Sequence, residues 1–296
     1  MQITKTVSAP LTAILVAVAV AACSDEGTAP STGLSASQVQ DVAEVIVTEA
    51  DATLDAAPLD PATGVALAPT AGGPAHSGPP PCTPDVSPNP LSNSDGDAVP
   101  DSARFDFAGC TFTRGPYSFV VSGVIDILDP TSVSTDFGIR SVFIGFTWER
   151  TITVTSRTTT VEFNGARQVT GNADALQHLI TNFQTEITLP RGGTVSHVKD
   201  WNSSFTADTP GSIAHGQPLP SGILNIAGSS QWSRGENEVF SITITTSGLH
   251  FNASCTVAPR FDAGSTTAVV TRNGETTNVL VQHTACGQYT VTRSQG

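Results

Sequence analysis

The chain has 296 residues, a formal net charge of −13 and a mean hydropathy of +0.02. Thirteen acids against one base, Arg104, lie between Ser24 and Cys110, whereas Thr111 to Gly296 carries thirteen acids and eleven bases. An acidic N-terminal third before a nearly neutral remainder repels phosphate backbones and so excludes nucleic acid as a partner; it also stands off an anionic lipid surface.

In chain order, Lys5 precedes an apolar run from Leu11 to Ala22, and small residues lead straight into Cys23. Residues 1–22 therefore read as a secretory signal peptide, the run being shorter than the roughly 20 apolar residues that span a bilayer. Val20-Ala21-Ala22-Cys23 resembles the lipobox of bacterial lipoproteins. That resemblance implies that Cys23 carries fatty acyl chains such as palmitate, becomes the first residue of the mature chain and ties it to a membrane. Ser24 after the cysteine implies sorting to the outer membrane of the cell envelope.

Residues 23–34 are small, polar and proline-bearing, as a tether should be. Residues 35–57 predict an amphipathic helix: Ser35 and Gln38 form a capping-box pair. Val39, Val42, Ala43, Ile46, Ala50 and Leu54 then recur at three- and four-residue spacing. The stripe suits packing on the following domain, with a partner protein or a second copy as the alternatives. Residues 58–84, rich in Pro, Gly and Ala, read as a semi-extended linker.

With Cys23 lipidated, Cys82, Cys110, Cys255 and Cys286 form an even set in an exported, oxidising compartment, where disulfides are expected. Four cysteines allow three connectivities. Nearest-neighbour pairing closes loops of about 30 residues, each bridge stabilising by about 3–4 kcal/mol. No close pair such as C-x-x-C is present for zinc.

Residues 85–110 read as an acidic loop bracketed by a disulfide, and within it Asn93-Ser94-Asp95-Gly96-Asp97-Ala98-Val99-Pro100-Asp101 places oxygen donors at alternate positions. Such donors in a tight loop converge on a hard cation. The run resembles the calcium repeats of thrombospondin type 3 arrays. The resemblance implies calcium held by the side chains of Asn93, Asp95 and Asp97, the Val99 carbonyl and Asp101. Ala98 stands where glycine is usual, and Arg104 where the closing acid falls. The same run also reads as an acidic Asx-type turn without an ion.

From 111 to 296 the pattern is period two. Phe119–Ile127, Val142–Trp148, Thr151–Thr155 and Ser241–Thr245 alternate, with β-branched residues abundant. Asn164-Gly165, Asn273-Gly274, Arg191-Gly192-Gly193 and Arg234-Gly235-Glu236 predict turns. Residues 171–180 read equally as a short helix or an irregular strand. The fold class is all-β, a large antiparallel meander. Strands polar on both faces, such as Thr155–Thr160, favour an open twisted sheet over a sandwich or barrel. Segments 248–255 and 263–287 loosely resemble the closing hairpins of β-rich bacterial surface lipoproteins, a likeness that brings no activity with it.

Catalytic patterns are few. There is no G-x-S-x-G, no H-E-x-x-H and no phosphate-binding loop with lysine. The six histidines, His76, His178, His197, His215, His250 and His283, are scattered. His197 and Lys199 share one strand face and Asp200 the other, which reads as strand surface. Glu149, Glu162, Glu186, Glu236 and Glu238 lie in or near strands and admit a paired-carboxylate hydrolase of glycans. Trp148, Trp201 and Trp232 read as anchors in the core or sheet face, with a sugar-stacking platform as the sharper alternative. The sequence thus describes a lipid-anchored envelope protein that binds or scaffolds through its sheet, with an envelope protein or polysaccharide as partner. A glycan hydrolase and a structural surface coat are the alternatives.

Overall fold

A computed structural model describes residues 34–55, 83–97, 99–190, 192–214, 217–234 and 238–295. The signal segment with Cys23, the tether up to residue 33, most of the linker, His76, Cys82, Ala98, Arg191, His215, Gly235 and Glu236 lie outside the described residues.

Helix α1 (Ala36–Asp55) begins as its capping pair requires. The Ser35 amide donates to Gln38 Oε1 at 2.8 Å, and the Gln38 amide donates to Ser35 Oγ at 3.3 Å. Twelve strands follow: β1 (Asp85–Ser87), β2 (Ser102–Arg114), β3 (Tyr117–Leu128), β4 (Phe137–Ile152), β5 (Arg157–Gly171) and β6 (Ala175–Thr188), then β7 (Thr194–Ala207), β8 (Gly222–Arg234), β9 (Glu238–Phe251), β10 (Phe261–Arg272), β11 (Glu275–Ala285) and β12 (Gln288–Gln295). Each pairs antiparallel with the next, in spatial order β1 to β12, so the sheet is one open meander. The sheet thus enters the segment read as an acidic loop, which supplies β1 and β2.

Alternation gives the sheet two unlike faces. The inner face carries the large apolar residues. Against it α1 lays its stripe, with Ala43 and Ile46 buried beside Leu249, Phe261, Val279 and Val281. Each fully buried aliphatic side chain of this kind contributes about 1.5–3 kcal/mol. The helix thus packs on its own sheet. A second cluster on β2–β5 is aromatic, with Phe107, Phe143 and Phe146 meeting edge to face, and Phe183 of β6 packs against both clusters. The bridge Cys255–Cys286 ties the β9–β10 connection to the β11–β12 turn. Cys110 is also disulfide-bonded.

Three local readings change. Asn164-Gly165 is no hairpin turn but lies inside β5, where the register with both β4 and β6 shifts. Gly165 has φ +118°, and an added Cβ would sit 2.5 Å from the Asn182 carbonyl oxygen, while Asn164 Oδ1 accepts the Gly145 amide at 2.7 Å. A bulge needs the same positive φ that a turn does, so the dipeptide marks either. Register shifts at Phe107/Cys110, Ser122/Val124, Phe143/Phe146, Asn164/Ala166 and Ile180/Phe183 form a file of bulges across β2–β7. Second, β4 stops at Ile152, and Thr153 to Ser156 make the β4–β5 turn with Val154 projecting into solvent. Third, residues 172–174 are a turn and 175 onward is strand β6, which settles the ambiguous segment. Asn273-Gly274 does turn β10 into β11, with φ of 51° and 81°.

Candidate functional site

The acidic loop docks on the sheet. Pairing of Ser102 with Leu128 brings Asp129, just past β3, beside the loop, where its amide donates to the Asp101 carbonyl at 3.3 Å. Asp95, Asp97 and Asp129 each offer a carboxylate oxygen, and these oxygens lie within 4.8 Å of one another. Asp95 Oδ1 accepts the Asp97 amide at 3.2 Å, while its Oδ2 is buried without a hydrogen-bond partner among the described residues. Asp97 Oδ1 accepts the Val99 amide at 2.6 Å, and Asp129 Oδ1 accepts the Thr131 amide and hydroxyl at 2.8 Å.

The other members of the expected calcium set brace the loop. Asn93 Oδ1 accepts the Gly96 amide at 2.8 Å, and its Nδ2 donates to the Asp97 carbonyl at 2.5 Å. Asp101 Oδ1 accepts the Ser94 amide and hydroxyl at 2.8 Å, hydrogen bonds that hold this exposed carboxyl below its ordinary range. Val99 is buried in the aromatic core. Three carboxylates converging in this way offer hard oxygen ligands for a divalent cation. Asp129 carries no sequence signal of its own, because only the β2–β3 register places it here.

Beneath α1 lies a second concentration of ionisable groups. Lys199 Nζ sits 3.0 Å from Glu49 Oε2 and 3.5 Å from the centroid of the Trp201 ring. His197 stacks on Trp232 at 4.4 Å and 8°. The strand-surface reading of His197 and Lys199 is therefore corrected: both point inward, under the helix. Alternation correctly puts them on one face, but which face is buried depends on where α1 packs. Burial pulls the Lys199 ammonium down from its usual value, against the opposing pull of Glu49. Burial alone would raise Glu49, yet Lys199 and then His197 hold it below the ordinary carboxylate range. Trp201, almost wholly buried, donates from Nε1 to Ser230 Oγ at 3.1 Å and is a core anchor. Trp148 stacks on Phe119 at 5.1 Å on the same inner face.

At one end of the sheet His250 bridges two acids, Nδ1 to Asp262 at 2.6 Å and Nε2 to Asp208 at 2.9 Å. These bonds, Asp208's first, raise its pKa above the ordinary imidazole value. Among the strand glutamates, Glu162 and Glu186 are direct cross-strand partners on β5 and β6, and Glu149 pairs with Thr160, one alternate position away on the same face. Like charges set directly opposite are destabilising. Nothing is described for Glu236 or for the side chain of Glu238.

The outer face of β8–β12 is the least anticipated surface. Its rows run Ala227–Thr245–Thr267–Leu280–Thr292 and Ser229–Thr243–Val269–Asn278–Ser294 along the register. The flanking rows, from Gln231 to Thr276 and from Ser247 to Thr290, add only hydroxyl and amide residues. No acid or base stands in any of these rows.

In comparisons with family models, curated proteins and solved structures, the chain matches none.

Proposed function

We propose that this is a lipid-anchored protein of the bacterial cell envelope, held through Cys23 to the outer membrane, that acts by binding or scaffolding. The observation that carries this reading is the open twelve-stranded sheet: among the described residues, one helix stabilises its inner face and a polar outer face stays exposed to meet a partner. An envelope protein or polysaccharide is the partner proposed. Calcium at Asp95, Asp97 and Asp129 would act structurally, pinning the loop to the end of β3.

The test is a quantitative pull-down with the fragment from Ser24 to Gly296 against membrane extract and wall polysaccharide, with calcium and then with chelator. A specific partner supports binding, and its loss on chelation supports the ion site. No partner in either condition refutes the binding reading and favours a surface coat.

A hydrolase of glycans is the second reading, favoured by the facing Glu162 and Glu186. Glu162→Gln and Glu186→Gln separate the two readings. An enzyme loses turnover on released glycan in either variant, whereas a binder keeps its affinity and shows no turnover to lose.

A further inference from the structure

We propose that the four uncharged rows on the outer face of β8–β12 bind a neutral polysaccharide, an inference that rests on the binding reading above and names its surface and ligand class. Two rows crossing five strands about 4.8 Å apart, flanked on either side by a row crossing four, give a patch of about 19 Å by 20 Å at its widest. The chain is 13 % charged residues, and Thr111 to Gly296 alone holds thirteen acids and eleven bases. Yet the four rows carry none, and Asp200, Asp208, His250 and Asp262 stand outside them.

The chemistry of the rows selects the occupant. Thr243, Thr245 and Thr267 are exposed neighbours, and each offers a hydroxyl beside a methyl. Val269 and Leu280 stand among them, 36 % and 37 % exposed. A neutral sugar polymer presents the same mixture, hydroxyl edges with apolar C–H faces between them. Docking it exchanges hydroxyl–water bonds for hydroxyl–hydroxyl bonds and strips no charge of water, the desolvation that makes charged surfaces costly to cover.

A second protein fits less well. A stable interface takes about 800 Å² from each partner and anchors itself with aromatic residues or arginine. The rows contain neither, and their footprint is about half that size. An anionic polymer finds no base to pair with, so the charge pattern points to an uncharged one.

The test is co-sedimentation of the full chain, in detergent micelles, with insoluble neutral polysaccharides (a β-glucan, a mannan and a galactan) and with an anionic polyuronate. The variants are Thr243→Lys/Thr267→Lys inside the patch and Gln177→Lys, exposed on the outer face of β6, as control. Circular dichroism verifies folding. The expected result is retention on at least one neutral polymer that survives high salt, falls at least tenfold in the double variant and is unchanged in the control. Preference for the polyuronate, no retention on any neutral polymer, or equal retention by the double variant overturns the inference. If the double variant still captures an envelope partner, only the assignment of this face fails. If neither chain captures anything, the binding reading fails with it.

Discussion

His178 and His283 should make this protein acid-sensitive well above the range in which carboxylates titrate. Both are buried, and neither Nδ1 has a hydrogen-bond partner among the described residues. Burial, with Arg167 and Lys199 nearby, pushes His178 from 6.5 down to about 3. Burial pushes His283 down to about 4 against the weaker pull of Asp51. In the unfolded chain each titrates near 6.5. Their contribution to stability is therefore complete above pH 6.5 and is lost as pH falls toward the folded values, because the unfolded chain holds more protons across that window. At about 1.36 kcal/mol per pH unit, moving to pH 5 costs about 2 kcal/mol for His178 and slightly less for His283, together about 3–4 kcal/mol. His178→Leu/His283→Phe removes the effect; phenylalanine suits position 283, which lies edge-on to Phe261 at 5.2 Å. Urea unfolding followed by tryptophan fluorescence at pH 7 and pH 5 is the assay. His250 pulls the other way in both proteins and cancels in the comparison. Wild type should lose about 3–4 kcal/mol more than the double variant. Profiles parallel within about 0.5 kcal/mol would refute the reasoning.

Glu49→Gln strands the buried Lys199 ammonium and should cost about 3 kcal/mol, whereas Glu49→Leu/Lys199→Met should recover most of it; equal losses in urea melts would sink the argument. The His250 ring, titrated by NMR, should have a midpoint above 6.5 that drops in Asp262→Asn. Its stabilisation is present below 6.5 and fades as pH rises through the folded value, and an unmoved midpoint would dismiss the clamp. Cys255→Ser opens a loop of sequence separation 31. It should lower the unfolding free energy by about 3–4 kcal/mol on the chain-entropy account, and no change in melting would count against that bridge. Gly264→Ala should cost about 2–3 kcal/mol, since its φ is +93° and a Cβ would sit 2.1 Å from the Gly248 oxygen. Gly274→Asn, in open space at a turn, should be nearly neutral by the same thermal melt.

The candidate site was only half legible. Asp95 and Asp97 announce themselves by their spacing, but Asp129 joins them through the β2–β3 register, and Asn93 and Asp101 turn to the loop's own backbone. Lys199 and Glu49 are 150 residues apart in sequence, so no local pattern could pair them. The uncharged rows were visible only as polar alternation within single strands. Their continuity across five strands depends on every register between β8 and β12.

What the sequence by itself determined is what neighbours along the chain decide. Period-two alternation set the β class, the Ser35/Gln38 pair started α1, and Asn273-Gly274 turned a hairpin. Polar strands suited an open sheet but left a sandwich or barrel standing, and only the register from β1 to β12 decided between them. The tertiary structure decided which face α1 covers, whether Asn164-Gly165 bends or turns, and which distant carboxylates meet. Those outcomes follow from strand register, which fixes side-chain neighbours across gaps in sequence that no local preference spans.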